Sequence, residues 1–262
     1  MLVRTIPVTE ESLTITAAPL TRDAFAAFGD VIANPRPECK PSNTAVEAIS
    51  RGELPCGAIS ANQGTAIQYK AIASMRDLYG WAPSRKAGSA RMTMFVCGAR
   101  TLVASGGVEK GEADGFRVAV LERHPFTSQT FIPLTADMTK RYLVIVAPTL
   151  GSSEDDSSLP APEATGLPGR GPPDVRRLRA FVATGEQAVT YAAGTWHAPM
   201  VALGPPDSTI DFVVVQFAND VPVEDCQEVA FEHGGKGERR RDGSGTIWVQ
   251  VPKRYRGELA RL

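Results

Sequence analysis

The sequence has almost no net charge and no signal for a special compartment. Its 28 Lys and Arg residues nearly balance its 29 Asp and Glu residues, which gives a formal net charge of −1. No general attraction to nucleic acid or to an anionic membrane is therefore expected. The first residues do not form a secretory signal, and no apolar run is long enough to span a bilayer as a helix. We expect a cytoplasmic protein with neither nucleic acid nor membrane as a partner.

Cysteine is scarce and widely spaced. The four cysteines are Cys39, Cys56, Cys97 and Cys226, and they form no CxxC pair, which argues against a zinc site built from cysteine. A disulfide framework is not expected in a chain of 262 residues with so few cysteines. We therefore expect reduced thiols.

Several common catalytic motifs are absent. The sequence contains no Walker A loop, dinucleotide-binding GxGxxG, HExxH, GxSxG or EF-hand pattern. Phosphoryl transfer, hydride transfer on a Rossmann fold and serine-hydrolase chemistry therefore lack support. Histidine is also rare, with three copies. His233 lies in a basic, glycine-rich segment (232–245) that we expect to be flexible and solvated, so His124 and His197 are the candidates for chemistry.

Turn and strand signals are abundant. Twenty prolines and twenty-four glycines favour a β-rich fold, and the strand–turn–strand spacing is typical of an antiparallel sandwich or barrel. The apolar run 138–148 predicts a central strand buried on both faces, and residues 21–29 predict a short helix capped by Thr21. Residues 151–174 are rich in Ser, Pro and acidic residues, so we interpret them as a mobile insertion that buries little, within a single domain spanning 1–262.

One stretch, residues 118–134, concentrates the candidate chemistry. It holds Glu122 and His124 two positions apart among strand-forming residues, so both side chains are predicted to project from one face of a strand. Gln129 follows in the same stretch, and His197 lies in a later one. We hypothesise that the two stretches meet and present a carboxylate, an amide and two imidazoles to one cavity.

These patterns resemble the motifs of the cupin superfamily. Glu122-x-His124 with Gln129 resembles the first cupin motif, with Glu122 in place of the usual histidine and Gln129 in place of the usual glutamate. Gly194-x-x-His197 resembles the second motif. Within the superfamily the chain resembles ureidoglycolate lyases, most closely the fungal form, over about residues 20–229. The segments that carry this resemblance are 62–65, 122–134, 142–148, 178–181, 194–199, 211–216 and 225–228.

The resemblance implies a fold, an activity and an assembly. The fold would be mainly β, a cupin-like double-stranded β-helix (an antiparallel β-barrel or jelly roll) with a few short helices. The activity would be cleavage of a small-molecule substrate, (S)-ureidoglycolate, to glyoxylate and urea in allantoin and purine degradation. The assembly would be a homodimer. The residues do not by themselves require a cofactor, but a divalent metal ion is one hypothesis. Its ligands would be Glu122, His124, Gln129 and His197.

Cleaving ureidoglycolate requires a base and an acid at one carbon, because the hydroxyl and the ureido nitrogen share that carbon. We hypothesise that His124 and His197 flank it as base and acid, while Glu122 orients His124 or takes the proton itself. We predict that the substrate is held by hydrogen bonds from the side chains of Gln129, Asn62, Gln63 and Thr65, although the last three could instead form a plain turn. We also expect a cation to bind the substrate carboxylate. The candidates for this cation are Arg91, Lys140, Lys70 and Arg123.

Two other interpretations stay open on the sequence. Glu122, His124 and His197 also match the facial triad of a metal-dependent cupin oxygenase or isomerase. A cupin that binds a small molecule without turning it over is a third interpretation, because this fold supports many functions. Metal analysis distinguishes a metal-dependent oxygenase or isomerase from an acid–base lyase. Measurement of substrate turnover distinguishes a binding protein from an enzyme.

Overall fold

The computed structural model describes residues 1–8, 12–104, 113–135, 137–163, 165–233 and 245–255. Over these residues most of the regular structure is strand, with three short α-helices: α1 (Arg22–Phe25), α2 (Asn43–Ser50) and α3 (Pro222–Asp225). The strands are β1 (Leu2–Val8), β2 (Leu13–Thr16), β3 (Ala18–Pro19), β4 (Gly29–Ile32), β5 (Ile59–Ala61), β6 (Ala66–Gln68), β7 (Ser89–Gly98), β8 (Val103–Ala104), β9 (Ala113–Arg117), β10 (Val120–Arg123), β11 (Gln129–Pro133), β12 (Arg141–Ala147), β13 (Arg179–Thr184), β14 (Ala188–Tyr191), β15 (Trp196–His197), β16 (Val201–Leu203), β17 (Thr209–Ala218), β18 (Gln227–His233) and β19 (Ile247–Pro252).

Three sheets stack in layers. The middle layer is an eight-stranded sheet of order β1-β18-β10-β15-β12-β13-β3, with β16 also paired to β12. A five-stranded sheet, β4-β14-β11-β17-β7, packs on one face, and a four-stranded sheet, β2-β19-β9-β8, packs on the other. A separate hairpin pairs β5 with β6.

Strand β12 shows how the layers are held together. Successive side chains of a strand point to opposite faces, and those of β12 alternate between two apolar cores. Val144 packs in the core that contains Phe212 of the five-stranded sheet. Leu143 packs in the core that contains Ile247 of the four-stranded sheet. Six of the seven residues of β12 are buried. The prediction of a central strand buried on both faces is confirmed.

The prediction of a mainly β, cupin-like fold is confirmed, although the described sheets do not close into a barrel. Among the described residues the eight-stranded sheet ends at β1 and β3, and the five-stranded sheet ends at β4 and β7. Between these two sheets the described residues form an isolated bridge, from Ala99, just after β7, to Ala202 of β16, but no continuous ladder, so the layers are held mainly by side-chain packing. In the described part of the chain, no helix combines the length and the apolar character that crossing a membrane requires.

The predicted first helix is present but shorter than expected. Thr21 caps α1, with its hydroxyl oxygen accepting from the Ala24 N–H at 3.3 Å, and the helix ends at Phe25. Gly29 instead begins β4, with φ +147°, and a Cβ there would lie 1.9 Å from the carbonyl oxygen of Thr190. Only glycine allows this approach. Helix α2, capped by Ser42, was not predicted.

The segment 151–174 packs against the body of the protein. Asp156 is fully buried and forms an ion pair with Arg4 at 2.7 Å. The Pro160 carbonyl accepts from Gln227 Nε2 at 2.8 Å. The expectation that this segment buries little is therefore wrong, because its Pro160 carbonyl satisfies the buried Gln227 and its own Asp156 is buried against the partly exposed Arg4. Its mobility stays a prediction. Most of the segment 232–245, predicted to be flexible, lies outside the described residues.

The chain connects the two sheets that flank the candidate chemistry. Strand β10 belongs to the eight-stranded sheet and β11 to the five-stranded sheet, and only residues 124–128 separate them. Strand β15 pairs with β10, so Glu122 lies directly opposite His197. The short linker and this pairing bring the stretches identified in the sequence to one end of the space between the two sheets.

Candidate active site

Glu122 and His197 meet across the β10–β15 ladder. The carboxylate Oε1 of Glu122 lies 3.5 Å from Nε2 of His197. His124 lies close by, with its ring centroid 5.5 Å from that of His197. His197 is stacked on Tyr191 with centroids 4.0 Å apart, which fixes the ring plane. The two stretches therefore form one cluster of a carboxylate and two imidazoles.

Backbone carbonyls determine the tautomer of both histidines. His124 Nδ1 lies 2.6 Å from the carbonyl oxygen of Asp225, and His197 Nδ1 lies 2.9 Å from that of Thr195. A carbonyl oxygen only accepts, so each Nδ1 carries the hydrogen and donates it. In a neutral ring Nε2 is then the acceptor. Both Nε2 atoms are buried and lack a hydrogen-bond partner among the described residues.

The protonation states follow from burial and from the neighbouring charges. Burial lowers the pKa of His124 to about 4, with a further lowering by the charge of His197. Burial by itself would raise the pKa of Glu122, but the interactions with His197 and His124 outweigh it, and the pKa is lowered. Near pH 7 the site therefore holds an ionised carboxylate beside a neutral His124 whose Nε2 can accept a proton.

An amide pair faces this cluster from the five-stranded sheet. Gln129 Nε2 donates to Oε1 of Gln216 at 2.6 Å, and the two residues are cross-strand neighbours on β11 and β17. Oε1 of Gln129 is buried without a partner among the described residues. A ligand in this space could satisfy two buried acceptor atoms, Nε2 of His124 and Oε1 of Gln129, whereas Nε2 of His197 lies 3.5 Å from Oε1 of Glu122.

A cavity of about 510 Å³ connects these groups. Glu122 and His124 line one wall, Gln129 and Gln216 the opposite wall, and Arg91 lies at the β7 side. The remaining lining is mainly apolar and includes Phe95, Cys97, Phe131, Met200 and Val214. A cavity with apolar walls and a few converging polar groups is the usual form of a small-molecule site.

A single loop reaches both walls. The Asp225 carbonyl accepts from His124, while the Asp225 carboxylate accepts from the backbone N–H groups of Asn219 and Asp220, both at 2.8 Å. The Asp220 carboxylate in turn forms an ion pair with Arg91 at 2.6 Å. The turn 219–225 therefore links the position of the imidazole to that of the cation.

Comparison with known proteins identifies the family. A model of the ureidoglycolate lyase family matches residues 12–236. The chain belongs to this family. It is 34% identical over 218 residues to the ureidoglycolate lyase of Schizosaccharomyces pombe, covering 83% of this chain and 91% of the relative. It is 30% identical over 233 residues to the ureidoglycolate lyase of Saccharomyces cerevisiae, covering 85% of this chain and 96% of that relative. The ureidoglycolate lyase of Burkholderia mallei is 32% identical to this chain over 207 residues, which cover 79% of this chain and 84% of that relative.

The family prediction, with its fungal likeness, is therefore confirmed, and with it the prediction of an enzyme of the carbon–nitrogen lyase class. Neither the oxygenase nor the binding-only interpretation is favoured.

Not every residue predicted from the sequence reaches the cavity of this family member. Asn62, Gln63 and Thr65 lie in the exposed turn between β5 and β6, where the Thr65 hydroxyl donates to the Asn62 carbonyl at 2.8 Å. They are absent from the cavity lining, as is Lys140. Lys140 lies one residue before β12, whereas His197 pairs with Val146 near the other end of that strand. At ordinary strand rise the two ends are about 20 Å apart, so Lys140 lies far from the histidine cluster.

The remaining cations differ in position. Lys70 does not line the cavity. Arg123 is fully buried but donates to Gln227 and to three backbone carbonyls of 169–171, and its guanidinium lies 4.6 Å from the ring centre of Trp196. Arg123 therefore anchors the segment 151–174, and Arg91 is the one predicted cation that lines the cavity among the described residues.

His197 occupies a different place from the one predicted for it. It is not part of the cavity lining and is 1% exposed, behind Glu122. Sequence reasoning gave no role to Cys226, whose Sγ lies 3.9 Å from Oε2 of Glu122. Burial, and then the charge of Glu122, raises the pKa of this thiol to about 12, so it remains protonated. The segment that carries Cys226 was recognised from the sequence only as a resemblance.

Proposed function

We propose that this protein cleaves (S)-ureidoglycolate to glyoxylate and urea in purine degradation. The observation that carries the proposal is the pairing of an ionised Glu122 with a neutral His124 on one wall of a small-molecule cavity. Membership of the ureidoglycolate lyase family supports the choice of substrate. The reaction needs proton transfer at one carbon and neither oxidation nor reduction.

His124 is the proton carrier in this proposal. Its Nε2 takes the proton of the substrate hydroxyl, the carbon–oxygen double bond forms, and the carbon–nitrogen bond breaks. The same Nε2 then gives that proton to the departing ureido nitrogen, so the protons balance and urea leaves neutral. The Glu122 charge raises the pKa of His124 and so stabilises the transient imidazolium. His197, behind Glu122, helps to keep that carboxylate ionised when its Nε2 also carries a proton and faces Oε1 of Glu122.

Arg91 binds the substrate carboxylate. It is the predicted cation whose side chain borders the cavity, and arginine pairs with carboxylates through two parallel hydrogen bonds. In the free protein its partner is Asp220 at 2.6 Å. The substrate carboxylate would share or replace this partner. An apolar environment around the bound substrate strengthens this contact.

The donor set also fits a divalent metal ion. The ligand atoms of Glu122, His124 and His197 all lie within 4.8 Å of one another, and two of them are imidazole nitrogens without partners among the described residues. These three residues would hold the ion, which would polarise a substrate oxygen as a Lewis acid. Activity that survives exhaustive chelation supports His124 as the proton carrier, whereas its loss and recovery with added metal supports the metal-bound form.

The decisive experiment is a direct product assay. Purified protein is incubated with (S)-ureidoglycolate, and glyoxylate and urea are measured. Equal amounts of both are expected. Release of ammonia and carbon dioxide in place of urea would mean hydrolysis of the ureido group and would contradict the lyase proposal.

We also propose a homodimer formed through the outer face of the five-stranded sheet. Met92, Met94 and Val96 project from the edge strand β7 and are 73%, 61% and 65% exposed. Beside them Val213 is the cross-strand partner of both Met94 and Ile132. Exposed apolar side chains that form one continuous face readily pack against another chain. Met94→Glu should halve the mass measured by light scattering, while Met138→Glu, at an exposed methionine in the turn between β11 and β12, should not. A wild-type protein that elutes as a monomer contradicts the proposal.

We also propose that the protein is cytoplasmic. All four cysteines are free, which suits a reducing compartment.

A further inference from the structure

Three residues form a row across the five-stranded sheet, on the face toward the cavity. Gln216 lies opposite Arg91 on one side and opposite Gln129 on the other. Directly opposed residues of antiparallel strands project from the same face, and all three line the cavity. Gln216 therefore lies between the cation and the buried amide.

The single hydrogen bond between the two glutamine side chains leaves one acceptor oxygen, on Gln129, and three N–H donors, two of them on Gln216. A primary amide has one acceptor oxygen and two N–H donors. The bond from Gln129 Nε2 to Gln216 Oε1 at 2.6 Å leaves Gln129 Oε1 and Gln216 Nε2 for a ligand, since the described residues provide no other partner. Exchanging the oxygen and nitrogen of both amides gives the same result. The pair offers a donor beside an acceptor whichever way it is turned.

Burial makes this pair suited to a ligand. Gln129 is 5% exposed, and its Oε1 has no partner among the described residues. A buried carbonyl without a partner is destabilising, so a ligand that donates to it binds favourably. On the opposite wall His124 donates its Nδ1 hydrogen to the Asp225 carbonyl, so its Nε2 and the Glu122 carboxylate face the cavity as acceptors. The amide pair offers a ligand both donors and an acceptor.

We infer that the Gln129–Gln216 pair is the subsite that recognises the ureido group of the substrate. One amide accepts from a ureido N–H, and the other donates to the ureido carbonyl oxygen. This assignment rests on the proposed function. Adjacent strands are about 4.8 Å apart, so Arg91 lies one strand spacing from Gln216. That spacing is comparable to the separation of the carboxylate and ureido groups across the single carbon between them.

The assignment has a consequence for selectivity. The subsite requires an acceptor oxygen on the ligand, which a ureido group has and a guanidino group lacks. It also makes Gln129 a contact of the substrate, rather than the fourth metal ligand suggested by the cupin pattern. Sites that hydrogen-bond a ligand group discriminate strongly against analogues that lack that group, because the buried partner is then left unpaired.

The test uses Gln216→Glu, which keeps the size of the side chain and the bond from Gln129 Nε2 but replaces the free donor with an acceptor. Ureidoglycolate cleavage is measured with urea and with millimolar guanidinium as inhibitors. We expect urea inhibition of the wild type to weaken at least 10-fold in the variant, and guanidinium to become the stronger inhibitor. Gln216→Met should lose urea inhibition without gaining guanidinium inhibition. Gln68→Glu, in the exposed β6 hairpin, serves as the control and should behave as the wild type.

The outcomes separate this inference from the proposed function. Wild-type protein that releases no glyoxylate and urea overturns the proposed function, and the subsite assignment with it. Wild-type activity with unchanged urea inhibition in both Gln216 variants overturns the subsite alone. Matching circular dichroism melting curves for each variant establish that a lost inhibition reflects the subsite and not unfolding.

Discussion

The two walls of the cavity differ in their chemistry. The wall from the eight-stranded sheet carries Glu122 and His124, a carboxylate and an imidazole with shifted pKa values. The wall from the five-stranded sheet carries Gln129, Gln216 and Arg91, whose charge does not change near neutral pH. One wall can move protons and the other can only hold a ligand. The difference indicates a division between catalysis and recognition, and mutations on the two walls should affect different kinetic constants.

The largest expected effect is on the catalytic wall. His124→Gln removes the proton acceptor and should lower kcat by about 10²- to 10⁴-fold, the range for loss of general acid–base catalysis, with a small change in KM. The measurement is steady-state release of glyoxylate. A kcat within threefold of the wild type, in a variant with an unchanged melting temperature, would show that the proton carrier is another group.

On the recognition wall, Arg91→Met should raise KM with a smaller effect on kcat. A charge-assisted bond to the substrate carboxylate contributes about 1.5–3 kcal/mol, which corresponds to a KM about 10- to 100-fold higher. Arg91→Lys should recover part of the loss. Lys140→Met is the matched control, because sequence reasoning proposed Lys140 for the same role and the structure places it outside the cavity. If Lys140→Met raises KM as much as Arg91→Met, the assignment of the cation is wrong.

A smaller effect concerns stability and pH. The pKa of His124 is about 4 in the folded protein and about 6.5 when unfolded. Between these two pH values the unfolded chain binds a proton that the folded protein does not. The contribution of His124 to the free energy of unfolding is therefore complete above about pH 6.5 and is lost as the pH falls toward 4. The loss is up to about 3 kcal/mol. Denaturant unfolding at pH 6.5 and 4.5 should show a smaller difference for His124→Gln than for the wild type. Equal differences for both proteins would contradict the buried, neutral His124.

Local sequence patterns predicted the parts of the site that lie within one element. The two-residue repeat of a strand predicted that Glu122 and His124 face the same side, and both line the cavity although β10 ends at Arg123. The apolar run of β12 likewise predicted its burial on both faces. These inferences hold because they depend on a repeat of two residues, which needs no knowledge of distant contacts.

Polar composition was a poor guide to position. Asn62 and Thr65 have the groups that a ureido ligand requires, but their turn projects into solvent. The segment 151–174 has the composition of a solvated loop, but it supplies carbonyls to the buried Arg123. Neither outcome follows from the residue types, because the available partners come from distant parts of the chain.

The sequence by itself determined the β-rich class, the family and the candidate groups Glu122, His124 and His197. The tertiary structure alone decided which wall each group occupies: Gln216 beside Gln129, Arg91 in place of Lys140, and His197 behind Glu122. The physical reason is that register between strands sets these neighbours. It is fixed by packing across the whole sheet, whereas the chemistry of each side chain is already present in the residue.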